Sequence, residues 1–185
     1  GDWSRIGFAT PCYEYYCKFG VDWHGVDLNI FFQAVGSRQY WARGTMMIPG
    51  WNFSEGTYYA HQTDYWKPDN TNAFYPRLTE TNQPGQYSAA SFNFLCQTRY
   101  LLDMSYLRLK NITLGYSLPD KVLKKMHFQK FRVYFSAENV CEFDKLGNLP
   151  IDPETATSAG DGGAMGWGRI YPFTRQLSCG LQISL

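Results

Sequence analysis

The stretch Tyr13-Glu-Tyr-Tyr-Cys-Lys-Phe-Gly-Val-Asp-Trp23, then His24-Gly25, then Val26-Asp-Leu-Asn-Ile-Phe-Phe-Gln-Ala-Val35, decides the fold. Its odd positions are Tyr13, Tyr15, Cys17, Phe19, Val21 and Trp23, against Glu14, Tyr16, Lys18, Gly20 and Asp22 on the even ones. Side chains of an extended backbone point alternately to two faces, so this period of two predicts a strand over 13–23 with one apolar face. His24-Gly25 offers a tight turn, and alternation resumes with Val26, Leu28, Ile30, Phe32 and Ala34. A second strand over 26–36 and a β-hairpin follow.

Working outward, three more runs alternate. Over about 105–118, Leu107 and Leu109 lie on one phase and Ile112, Leu114, Tyr116 and Leu118 on the other, which a bulge near Lys110-Asn111 would reconcile. Pro119-Asp120 breaks that run, and Lys121 to Met126 suits one or two helical turns with Pro119 in the first position. Lys121, Lys124, Lys125 and Lys130 read most simply as a solvated turn. Over 130–140, Phe131, Val133, Phe135 and Ala137 oppose Arg132, Tyr134, Ser136 and Glu138, and over 173–185 Leu177, Cys179, Leu181, Ile183 and Leu185 share one phase. Between these runs, 38–103 and 142–171 lose periodicity and are rich in Gly, Pro, Asn and Thr. Connections of that length are usually functional or ordered by their own side chains.

Composition narrows the function. The 185 residues begin without a methionine or a leader pattern, so the chain reads as an interior or C-terminal piece of something longer. Lys plus Arg number 17 against 16 Asp plus Glu, which argues against nucleic-acid binding because no basic excess exists to neutralise phosphates. No apolar run is long enough for a spanning helix, whereas a membrane barrel is compatible with alternating polarity. Trp, Tyr and Phe together make 18%, an excess that suits boundaries apolar on one side and wet on the other. Five cysteines, Cys12, Cys17, Cys96, Cys141 and Cys179, form no CxxC pair and read as small apolar residues.

Two architectures share this alternation: a soluble antiparallel sandwich and a transmembrane β-barrel. Strand length favours the barrel, since soluble strands cluster near ~5 to 6 residues. Tyr13 and Trp23 sit ten positions apart on the apolar face. At ~3.3 Å per residue and a tilt near ~40° they project to roughly 25 Å, the height of a barrel's lipid-facing band. Alternate connections are long, the outer-membrane pattern of short periplasmic turns and long extracellular loops, which makes 1–11, 38–103 and 142–171 extracellular. Arg175 then lies near the outer rim, able to reach headgroup phosphates.

The order Ser105-Tyr-Leu-Arg-Leu-Lys-Asn-Ile-Thr-Leu-Gly-Tyr-Ser-Leu-Pro119, Lys121 to Lys125 and Phe131-Arg-Val-Tyr-Phe-Ser-Ala-Glu-Asn139 resembles the C-terminal region of SusC/RagA-type TonB-dependent outer-membrane transporters of Bacteroidetes. The hairpin Gly25 to Gln33, the loop Trp66-Lys-Pro-Asp-Asn-Thr-Asn-Ala-Phe-Tyr-Pro-Arg-Leu78, Ile6-Gly7 and Pro172 to Leu185 match the same family, so the resemblance covers essentially the whole chain. It implies about the last five strands of a 22-stranded all-β antiparallel barrel with an N-terminal plug. It further implies import of glycan or peptide fragments at the cell outer membrane with a SusD-like surface lipoprotein, energised by TonB-ExbB-ExbD through an N-terminal region outside this sequence. The family often ends on an aromatic residue; this chain ends on Leu185.

Candidate sites follow from that frame. Trp41, Trp51, Tyr58, Tyr59 and Trp66 could stack on an oligosaccharide or peptide substrate, contact the lid lipoprotein, or pack the loop's own small core. Glu14, Lys18, Asp22, Arg132 and Glu138 lie on the polar phase and could line the lumen or bond to the plug. No catalytic constellation is expected: His24, His61 and His127 are scattered and no nucleophile or metalloprotease motif surrounds them. Gly160-Asp-Gly-Gly163 neither follows a strand nor opens a helix, so no cofactor is expected there. Asp152, Glu154 and Asp161 match no calcium-loop spacing, so no metal is expected. The rival function is a secreted carbohydrate-binding β-sandwich with the loop aromatics as its platform.

Overall fold

The computed structural model describes residues 4–41, 47–49, 58–78, 95, 97–154, 171 and 173–185. In chain order the strands and helix are β1 (Tyr13–Trp23), β2 (Val26–Gly36), β3 (Gln39–Trp41), β4 (Leu101–Asp103), β5 (Tyr106–Ser117), α1 (Asp120–Met126), β6 (Lys130–Asp144) and β7 (Gln176–Ser184). They fall into two units: a sheet unit drawn from 13–36, 106–144 and 173–185, and a loop unit drawn from 1–12, 37–105 and 145–172.

The sheet unit is one antiparallel sheet in the order β1-β2-β5-β6-β7. His24 (φ 48°) and Gly25 (φ 86°) close the β1–β2 hairpin in the left-handed region that a two-residue turn requires. A Cβ on Gly25 would stand 2.6 Å from the Ser117 carbonyl, so the turn also needs the bare glycine for space. Register then carries apolar residues across all five strands: Trp23 faces Val26, Val26 faces Tyr116, Tyr116 faces Val133, and Val133 faces Leu181. Phe19, Ile30, Ile112, Ala137 and Leu177 form a second such row. Most of this apolar face is exposed, with Trp23 at 69%, Phe19 at 58% and Leu177 at 73%.

A bulge at Lys110 restores phase in β5, since Phe31 pairs with Asn111 and Phe32 with Leu109. On the β6 side Leu109 faces Cys141 and Asn111 faces Glu138, leaving Asn139 and Val140 extra, with Asn139 at φ 51°. This irregularity explains why β6 runs to Asp144, four residues beyond the 140 expected from alternation: the phase jumps but the ladder resumes. Residues 142–144 are therefore strand. At the other end, β7 begins at Gln176 and not at 173. Pro119 is the residue before α1 (φ -70°, ψ 150°), not its first turn, and His127 closes the helix at φ 59°.

The described residues of the loop unit pack on one another through their own side chains. Within 38–103, where alternation is lost, β3 and β4 pair as a two-stranded sheet, and a 3₁₀ turn spans Ala60–Thr63. Met47, Ile48, Tyr75, Tyr100, Leu102, Met104, Leu146 and Ile151 pack into one buried cluster, drawing on both long connections. Phe74 meets the Tyr75 and Tyr100 rings edge-on at 4.9 and 5.5 Å, the preferred geometry for ring quadrupoles.

Candidate lumen and loop sites

The polar face of the sheet is built from the even positions of β1 and their neighbours. Asp27 and Arg132 lie 105 residues apart in sequence and form a forked ion pair, Nε to Oδ1 at 2.8 Å and Nη2 to Oδ2 at 2.5 Å. They meet across β5 because Gly115 stands between them; a Cβ there would collide with both the carboxylate and the guanidinium. The Arg132 guanidinium also lies 5.1 Å from the Tyr134 ring centre. Tyr134 in turn lies across β7 at Gly180, where a Cβ would come within 2.5 Å of the ring. An aromatic ring covering a strand glycine restores the packing that the missing side chain leaves open. Farther along, fully buried Arg108 pairs with Glu142 between the rings of Tyr106 and Phe173, and Gln33 donates to the Tyr106 hydroxyl at 3.1 Å. Asn111, Thr113 and Ser136 form a hydroxyl and amide network between these two charged clusters.

The candidate lumen residues separate accordingly. Arg132 is committed to Asp27. Glu14 accepts from the neighbouring Tyr16 hydroxyl at 3.1 Å, and Glu14, Lys18, Asp22 and Glu138 are exposed on the polar phase. Asp27, Arg108, Glu142, Tyr134 and the two glycines escaped the sequence reading. Opposite charges on inward phases of adjacent strands, and a glycine abreast of a tyrosine, are the signals that could have found them.

In the loop unit Trp41 packs half-buried against the central cluster, Tyr59 stacks on His61 at 5.9 Å, and Tyr58 and Trp66 are exposed at 48% and 40%. Trp51 lies outside the described residues, as do Cys96 and Asp161. A cleft of about 580 Å³ is lined by His61, Asp64, Phe74, Tyr75, Arg99 and Lys145 among others. Its polar groups hold the loop: Arg99 donates to the Ala73 and Phe74 carbonyls at 2.7 and 3.1 Å, and Asp64 accepts from Asn70 and the Phe74 N–H. Those last two donors keep the Asp64 carboxyl below its ordinary pKa, while burial pushes the Tyr75 and Tyr100 hydroxyls up. Asp152 accepts from the Glu154 N–H in a turn, and among the described residues no three His, Cys, Asp or Glu side chains cluster as metal ligands.

An antiparallel sheet of strands nine to fifteen residues long, oily and exposed on one face and polar on the other, is a wall segment of a transmembrane β-barrel. No family model matches the chain. TonB-dependent receptor P3 of Formosa agariphila is 31% identical over 154 residues, which are 83% of this chain and 14% of that protein. The RagAB peptide importer in its closed-closed state matches 98% of this chain and 18% of that one, with 25% identity and a TM-score of 0.66. In the open-open state the match covers 96% of this chain and 17% of that one, with 25% identity and a TM-score of 0.61. The chain thus spans less than a fifth of these relatives. It belongs to the TonB-dependent receptors of the SusC/RagA type, and the sandwich alternative falls with that likeness.

Proposed function

We infer that this chain is wall and loop of an outer-membrane importer that takes up oligomers, peptide or glycan, captured with a SusD-like surface lipoprotein. The observation that carries the reading is the continuous exposed apolar face of the five-stranded sheet, joined to the likeness to RagAB over nearly the whole chain. RagAB is a peptide importer, which favours peptide over glycan here. In this reading residues 1–11, 38–103 and 145–171 are extracellular, α1 is periplasmic, and energy arrives from TonB-ExbB-ExbD through a region outside the sequence. Exposed Tyr58 and Trp66 offer flat rings to substrate or lid, and Glu14, Lys18, Asp22 and Glu138 face the lumen or plug. No catalytic step is assigned to the segment.

The test uses the intact protein purified from outer membranes. Heat-modifiable gel mobility, co-purification of a lipoprotein, and uptake of a fluorescent oligopeptide that stops when the proton-motive force is collapsed are expected together. A folded, monodisperse product in plain buffer would refute the reading.

A further inference from the structure

Helix α1 sits in the β5–β6 connection, at the turn end of the sheet's apolar face. The lowest apolar row there holds Leu118, Phe131 and Ile183: the Leu118 N–H donates to the Phe131 carbonyl at 3.0 Å, and Phe131 pairs with Ile183. Phe128, just after the helix, stacks on Phe131 with ring centres 6.2 Å apart, which carries the apolar surface past the strand end. The helix itself divides by its 3.6-residue period. Leu123 is buried, while Val122 and Met126, one turn apart on the adjoining stripe, are exposed at 39% and 45%. Lys121 and Lys125, also one turn apart, border that stripe on its other side, with Lys124 beyond them, and all three are exposed. Asp120 lies at the start of the helix and Lys124 and Lys125 in its last turn, where the helix dipole favours each of them. Lys130 falls on the lumen phase and does not belong to this patch.

An apolar pair flanked by a row of cations, at the turn end of a sheet with an exposed apolar face, has the chemistry of an interfacial anchor. We propose that α1 is a binding site for anionic phospholipid headgroups of the periplasmic leaflet. Val122 and Met126 enter the acyl boundary, and Lys121, Lys124 and Lys125 engage the phosphates. The charges make the site selective for anionic over zwitterionic lipid, and the apolar pair gives depth without selectivity. This site rests on the barrel orientation proposed above.

The experiment takes the intact, delipidated transporter and measures retained lipid by native mass spectrometry, with phosphatidylglycerol or phosphatidylcholine as the added lipid. Wild type should retain phosphatidylglycerol preferentially. Lys121→Gln/Lys124→Gln/Lys125→Gln should weaken that retention on the order of 10- to 100-fold at low salt and leave phosphatidylcholine unchanged. High salt should bring wild type down to the variant. Val122→Ser/Met126→Ser should weaken both lipids alike. Equal retention of the two lipids by wild type, or unchanged phosphatidylglycerol retention by the triple variant, overturns the proposal. So does a triple variant that keeps its lipid but loses a periplasmic protein. Each variant is first checked for heat-modifiable mobility and import: if both persist without a lipid difference, only the helix site falls. If wild type shows neither, the importer reading falls and this proposal with it.

Discussion

The depth at which a charge is placed on β1 should set its cost. Phe19 is six positions from Tyr13 and four from Trp23 on the same face. At ~3.3 Å per residue and ~40° of tilt, it lies ~15 Å below one aromatic and ~10 Å above the other, within ~3 Å of mid-band. An Arg at mid-band costs ~2–4 kcal/mol, against ~0–1 kcal/mol near either interface. Phe19→Arg also removes an edge-on contact with the Phe32 ring at 6.5 Å, an interaction of the kind worth ~0.5–1.5 kcal/mol. Its total is therefore about 2.5–5.5 kcal/mol. Phe19→Ala takes away the ring without adding charge, so the difference between the two substitutions isolates the depth effect. Tyr13→Arg, at the rim, should cost no more than about 1 kcal/mol in charge placement. The assay is urea unfolding of the intact transporter refolded in lipid, followed by Trp fluorescence and by gel mobility without heating. A Phe19→Arg cost equal to or below that of Tyr13→Arg would refute the assignment of this face to lipid.

Other perturbations probe the polar side and the loops. Arg132→Met leaves the Asp27 carboxylate without its partner above Gly115; a loss of about 1–3 kcal/mol is expected in the same unfolding assay, with partial recovery in Asp27→Asn/Arg132→Met. Gly180→Val drives a side chain into the Tyr134 ring and should cost about 1–3 kcal/mol; Tyr134→Ala in the same chain should relieve the clash. Burial raises the Asp103 carboxyl, but Ser105 and the Lys145 ammonium at 2.9 Å more than offset this, so its folded pKa lies below the ordinary value. Its stabilisation is accordingly complete above the ordinary carboxylate pKa of ~4 and is lost as pH falls through the folded value. The pair is well exposed and screened, so the effect is local: protection of the amides around Asp103 to Ser105, taken relative to their intrinsic exchange rates, should fall below that pH in wild type, and Asp103→Asn should abolish this change in protection.

The parts of this fold that were legible in the sequence are those that the pleat writes locally. Tyr13 to Trp23 and Val26 to Gly36 declare themselves because each side chain's face depends only on its parity. The phase jump between Leu109 and Ile112 likewise exposed the bulge at Lys110. The extension of β6 through Asn139 to Asp144 was not legible, because two extra residues interrupt the parity that marks a strand. Nor could composition separate Trp41, packed on the loop core, from Trp66, which is exposed.

What the sequence by itself determined is which side chains share a face, written in long alternating runs between aromatic ends. Only the tertiary structure decided which charges are spent internally and which stay available. Arg132 meets Asp27 because β5 lies between their strands and presents Gly115 at the crossing, while Lys121 and Lys125 stay clear because α1 buries only Leu123. Such partnerships depend on register between strands far apart in the chain, and no local pattern of residues encodes that distance.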